Sequence, residues 1–346
     1  MVTTMSNVQS HPMPRLLLEL AEATKLPYLE ILNSALTCAQ LETFSPANYI
    51  AVMRDYERKL LDFDRFFPLR SLTAALKESV DSVGFSFNDL HVTVFNKGEE
   101  ARMQSGRCFD IDPPHDVRVL VNLWKDGLQS YRIMFHEFGH ALHFKYLNPE
   151  LPPLLRQSMA DSLTEAMAQV FEAILFDQKW LLKFTSMTPE DAAQLRHVAM
   201  TFELLKFRRD IAFALFEYEL YQERRSDLKE LSDEIYREIL LTKVEADLAT
   251  SNLARWQQFV SHSLSAVNWM FCLLIREQVK NFAASHTKSL YHAALGEKLI
   301  PIYELGGALE WSEILERVTG ESSTFKHLVS SFFEILRLKP LTEETE

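Results

Sequence analysis

A mainly α-helical fold, with a small antiparallel β-sheet placed before one motif-bearing helix, is the architecture this sequence predicts. Three observations lead there. Glycine is scarce, at 9 of 346 residues, while Leu, Ala, Glu, Phe and Met are plentiful, and such a composition favours helix. Apolar residues recur at helical spacing on both sides of residues 91–123. Inside that stretch the pattern changes to alternation.

Residues 1–12 read as a disordered leader and 339–346 as a frayed acidic tail. Residues 13–338 read as one domain, because no linker rich in Gly, Pro or Ser divides them. Helical periodicity runs from Leu16 to about Val83, with breaks near Pro27, Pro46 and Pro68. His91-Val92-Thr93-Val94-Phe95 then alternates, and Arg107–Ile111 and Asp116–Leu123 read as two further strands. Pro113-Pro114 lies between those two, where neither proline must donate to a ladder. Asp126 with Gln129 makes a capping box for the motif helix. Later helices are expected over 154–182, 188–205, 208–226, 228–247, 252–284 and 323–337.

The net charge of −12 offers no electrostatic reason to expect nucleic acid or an anionic membrane as a partner. Cys38, Cys108 and Cys272 are widely spaced and odd in number, which argues against a disulfide framework and for a reducing compartment. The amino terminus lacks the basic start and long apolar segment of a signal peptide. No apolar run approaches the roughly 20 residues that cross a bilayer. The expectation is a cytoplasmic protein.

The chemistry concentrates in His136-Glu137-Phe138-Gly139-His140. Positions i and i+4 share a helix face, so both histidines can offer nitrogens to one ion. Zinc accepts such ligands and keeps a position for water, and Glu137 beside the first ligand can take that water's proton. Phe135, Phe138 and Leu142 fall on the opposite side and would anchor the helix in the core. Gly139 is costly in a helix interior, by about 0.8–1 kcal/mol against alanine, and its presence fits a close approach to the backbone. Chance alone can produce this five-residue pattern on an exposed face. Against that, Ile133, Met134, Phe135, Ala141 and Leu142 make the surroundings apolar, and titratable groups on a buried helix need partners.

A third ligand must come from elsewhere. The next helix offers Glu165, with Gln169 at i+4 and Glu172 at i+7 on the same face, placed to hydrogen-bond the ligating groups. Asp161, one turn earlier, is the competing candidate.

These residues resemble a known family, the thimet oligopeptidase and oligoendopeptidase group of zinc metallopeptidases. The resemblance rests on Phe135-His136-Glu137-Phe138-Gly139-His140-Ala141-Leu142-His143 and on a downstream glutamate followed by Gln and Glu, as in Glu165, Gln169 and Glu172. Arg107-Cys108-Phe109-Asp110-Ile111 and Asp116-Val117-Arg118-Val119 are similar to the strands that precede the motif in that group. Phe213-Ala214-Leu215-Phe216-Glu217-Tyr218-Glu219 is similar to a helix found downstream.

The resemblance implies a zincin-like (gluzincin) fold in which 13–88 form a reduced N-terminal helical part and 89–338 the catalytic core. It implies a deep channel where a short peptide pairs with a sheet edge. It also implies one Zn2+ per chain held by His136, His140 and Glu165, with Glu137 as general base.

Two departures stand out. The chain is short before the motif, so the helical half that roofs the channel is reduced. The group uses a late-helix tyrosine to stabilise the oxyanion, yet Phe259–Val279 contains His262, Trp269 and Cys272 and no tyrosine. His262 is a candidate substrate contact, beside the plainer reading of a structural histidine. Tyr291 and Tyr303 are candidates for the missing hydroxyl.

The expected function is a zinc metalloendopeptidase of the oligopeptidase type, with peptides as its partners. The alternative is a peptidase-like scaffold that keeps zinc and binds peptides without turnover. A third option, a secreted toxin-like protease acting on folded proteins, follows from the short roofing region.

Overall fold

A computed structural model describes residues 13–40, 44–88, 90, 92–96, 104–222, 227–242, 265–334 and 337. The expected leader at 1–12 and tail at 339–346 lie outside the described residues. The fold is mainly helical with one three-stranded sheet, the class expected, and the chain divides into two compact units.

The first unit takes residues 1–59, 196–271 and 324–346. Its helices are α1 (Met13–Ala23), α2 (Lys25–Ala39), most of α3 (Pro46–Leu61), most of α9 (Pro189–Tyr221), α10 (Leu228–Ile239) and α14 (Lys326–Phe333). Leu17, Leu20, Tyr28, Phe207, Ile211, Ile239 and Phe332 are buried in its core. Arg208 is buried among them. It donates to the carbonyls of Ala21 and Ile239 and to Thr24 Oγ1, and lies over the Tyr28 ring at 4.3 Å. One guanidinium thus satisfies carbonyls at the ends of α1 and α10, where helices leave acceptors unpaired.

The second unit takes residues 60–195 and 272–323. It holds α4 (Leu69–Ser82), β1 (Thr93–Asn96), β2 (Ser105–Asp112), β3 (Asp116–Asn122) and α5 (Leu128–Lys145). It continues with α6 (Pro153–Gln157), α7 (Asp161–Glu172), α8 (Gln178–Phe184), most of α11 (Ser265–Ala284), α12 (Leu295–Tyr303) and α13 (Trp311–Thr319).

The sheet order is β1-β3-β2. β2 pairs antiparallel with β3, as expected, but β1 pairs parallel with it, from Thr93↔Arg118 to Asn96↔Val121. The sheet is therefore mixed rather than antiparallel throughout, because β3 comes between the first two strands. Val117, Val119 and Val121 of the central strand are buried in alternation.

The motif helix starts differently from the sequence expectation. Gly127, at φ +135°, is its N-cap, and no cap side chain closes the first turn. Asp64 does that work from a distance: Leu128 N donates to its Oδ1 at 3.0 Å. A side chain on Gly127 would collide with the same carboxylate. Asp126 instead accepts from Leu69 N at 2.7 Å, at the start of α4.

Other boundaries also moved. The expected helix over 154–182 is divided into α6, α7, a 3-10 turn at Ala173–Phe176 and α8. The expected break between 205 and 208 is absent, since nothing between Glu190 and Tyr221 is Gly or Pro. Helices α12 and α13 were not anticipated.

Candidate metal centre

Helices α5 and α7 build the centre. Phe135, Phe138 and Leu142 are buried and fix α5 as the periodicity predicted. The Phe135 ring stacks on Phe171 at 5.5 Å and meets Trp180 edge-on. Trp180 is itself a core residue, its indole N–H donating to Ser79 Oγ at 2.7 Å. Gly139 is where the two helices touch. A Cβ there would lie 2.8 Å from both the Cα and the carbonyl oxygen of Ala168. That is the close backbone approach its presence suggested.

This packing brings His136, His140 and Glu165 together, with one potential ligand atom from each inside a 4.8 Å sphere of mutual distances. His136 Nε2 lies 3.3 Å from Glu165 Oε2, and His140 Nε2 lies 3.5 Å from Glu165 Oε1. Zinc bonds of about 2.0–2.2 Å at tetrahedral angles set ligand atoms roughly 3.4 Å apart, the size of these two separations. Asp161 is exposed at the start of α7 and is not in the cluster.

Glu172 holds the other nitrogen of His136, Oε2 to Nδ1 at 3.1 Å, and its Oε1 accepts from Arg132 Nε at 2.6 Å. This turns His136 Nε2 toward Glu165, the arrangement that orients a ligating imidazole. Burial opposes charge at each of these groups and is outweighed. The carboxylates of Glu165 and Glu172 hold His136 up at about 10. Against the same burial, hydrogen bonds from His136 and His140 hold Glu165 well below the usual carboxylate range. Arg132 and His136 bring Glu172 down to about 2.

Gln169 departs from expectation. Its Oε1 accepts from Arg276 Nη1 at 3.5 Å, and its Nε2 has no partner among the described residues. His140 Nδ1 is likewise buried without one.

Glu137 lies against strand β2, its stem beside Gly106, and feels the charges of His136, His140 and Glu165. Burial raises its pKa, while the charges of His136 and His140 and a hydrogen bond from the Cys108 backbone N–H pull it back. His143 is fully buried, its ring against Phe144 and, at 4.9 Å, Tyr303. It packs. Tyr303 is buried with its hydroxyl unpartnered among the described residues, and the Tyr291 hydroxyl accepts from Lys183 Nζ at 2.9 Å. His262 lies outside the described residues.

Sequence reasoning missed Arg132, although it sits four residues before His136 on the same helix face. It also missed Gly106 and the Cys108 amide, which carry no local signal. No helix among the described residues is long and apolar enough to cross a membrane.

Comparison with known proteins places this geometry. The family model of peptidase family M3 matches residues 100–267. A putative peptidase from Chlamydophila abortus is similar in structure, with a TM-score of 0.62 and 16% identity. A putative oligoendopeptidase F from Bacillus anthracis str. Ames gives 0.57 and 14%, and an M32 carboxypeptidase from Deinococcus radiodurans R1 gives 0.56 and 14%. These similarities cover 94%, 97% and 90% of this chain, and 55%, 56% and 74% of the respective structures. The chain thus spans little more than half the length of the first two. No curated protein matches it by sequence. The fold is shared with these peptidase structures, mainly helical with a small sheet, as the sequence led us to expect.

Proposed function

We propose that the chain is a zinc-dependent metallopeptidase hydrolysing peptide bonds in oligopeptides, a reading supported by the match of the peptidase family M3 model over residues 100–267. The convergence of His136, His140 and Glu165 at separations that suit one zinc ion carries the reading. When bound, zinc supplies Lewis acidity, lowering the pKa of water and polarising a carbonyl oxygen.

The chain's own residues do the rest. Glu172, kept ionised by Arg132, orients His136. Glu137 accepts the proton of the attacking water at its carboxylate and delivers it to the departing amine. Its burial-raised pKa suits it to both halves of that transfer. The peptide pairs with the free edge of β2, an outer strand of the sheet. The wide spacing and odd number of the three cysteines support a reducing, cytoplasmic setting.

A second reading, a zinc-binding scaffold without turnover, draws on the tyrosines. The Tyr291 hydroxyl is engaged by Lys183, and Tyr303 is buried. Losing one oxyanion donor costs about 10²–10³ in rate.

One experiment separates these readings. Zinc-loaded protein and its Glu137→Gln variant are digested with a library of terminally blocked and free peptides, with zinc content measured on both. We expect cleavage by the wild type, a loss of at least about 10³-fold in the variant, and one zinc in each. Unchanged cleavage by the variant excludes the mechanism. No cleavage by zinc-loaded wild type leaves the scaffold. Cleavage only at free termini replaces the internal-cutting assignment with an exopeptidase.

A further inference from the structure

We propose that strand β2 is the mould that positions Glu137: Gly106 leaves the space for its stem, and the Cys108 backbone N–H holds its carboxylate. The proposal rests on the reading of Glu137 as general base, and it names Gly106 as a positioning residue for that base.

Gly106 has an ordinary backbone conformation, so its lack of a side chain needs another cause. The cause is proximity. A Cβ at Gly106 would lie 2.5 Å from Glu137 Cγ, 3.1 Å from Glu137 Cδ and 2.7 Å from Ile133 Cγ2. Carbon atoms in contact sit about 3.5–4.0 Å apart, so the stem of Glu137 already fills the volume a side chain would take. Ile133 precedes Glu137 by one helical turn, on the same face, and is the second side chain crowding that volume. The stem therefore lies against bare strand backbone.

Two residues further along the strand, on the same side of the sheet, the Cys108 N–H donates to the Glu137 carboxylate. Stem and head are thus both set by one three-residue stretch of chain, Gly106–Cys108. A carboxylate carries two acceptor oxygens. With one fixed by an amide, the other has a defined direction in which to meet a water. A general base must lie within hydrogen-bond reach of the proton it takes, and a displacement of about 1 Å can cost 10²-fold in rate.

The test uses the full chain, zinc-loaded, with 15N introduced only at its 3 cysteines. The Cys108 amide signal is identified by its loss in Cys108→Ser, and Cys272, buried on α11, serves as the internal reference. We expect Glu137→Ala and Gly106→Ala each to speed Cys108 amide exchange at least about tenfold, as loss of a charge-assisted hydrogen bond should. Cys272 exchange should not change. In Gly106→Ala, kcat should fall about 10²-fold with KM within about twofold and zinc still one per chain.

Unchanged Cys108 exchange in either variant overturns the proposal. So does an unchanged kcat in Gly106→Ala, or a zinc loss or Cys272 exchange that moves in parallel with the effect. If the wild type cleaves nothing, the peptidase reading fails, while the amide measurement still decides whether β2 holds Glu137.

Discussion

His143 shows how far neighbours on one helix face can diverge. It lies three residues past His140 and seven past His136, within about 60° of both around the helix, yet it is fully buried against aromatic rings. Burial first, and the charge of His140 second, push its pKa down to about 3. Unfolded, the same imidazole titrates near 6.5. The unfolded chain therefore binds this proton at a pH where the folded chain does not. Its contribution is intact above about pH 6.5 and erodes as pH falls toward 3, by about 2 kcal/mol at pH 5. Urea unfolding at pH 7 and pH 5 checks this. His143→Phe should lose about that much less stability than wild type between the two values, and equal losses would contradict the assignment. That His136 and His140 share a helix face was legible from their spacing. That the third histidine is neutral and inert was read only as a packing preference, since the rings that bury it come from residue 303 as well as from its own helix.

Among the elements, the contact of α5 with α7 is the one on which the centre depends. Gly139 meets backbone atoms of Ala168 rather than a flexible side chain, so nothing can swing aside to admit a methyl group. Gly139→Ala should gain up to about 1 kcal/mol in helix propensity and lose about 1–3 kcal/mol to overpacking. The helices would part, and Glu165 would move relative to both histidines. We expect weaker zinc binding by chelator competition together with a lower urea midpoint; an unchanged zinc affinity would separate the contact from the centre.

Both helices could be read from sequence, because a buried amphipathic helix repeats its pattern locally. Glu165 could be read for the same reason, being on the same face as Gln169 and Glu172. What could not be read depends on distant partners. Asp64 starts α5 from outside its own segment, so the nearby Asp126 drew the cap assignment. Alternation in Thr93-Val94-Phe95 signals a strand but carries no direction, and β3 settles that only by inserting beside it. Helix α12 contains Pro301 in its interior, which hid it among turn signals.

At the scale of the molecule, all three candidate ligands come from the unit formed by 60–195 and 272–323. A ligand that binds only folded protein stabilises it by mass action, about 4 kcal/mol at a thousandfold excess over Kd. Zinc should therefore slow hydrogen exchange in α5 and α7. If those amides exchange equally fast with and without zinc, the centre does not bind it.

The two units are interleaved along the chain, and this has a consequence for synthesis. The unit that includes α1 also includes α14, so α1 and α2 wait for α14 to be made. The candidate ligand set behaves in the opposite way. By residue 172 both of its helices, and the carboxylate that orients His136, have already been translated. A nascent chain that has reached residue 172 thus carries all three candidate ligands while the unit of α1 is still missing two of its three segments. Such long-range closure slows folding and prolongs the exposure of apolar faces, and an early-captured ion would be available to organise the half that comes first.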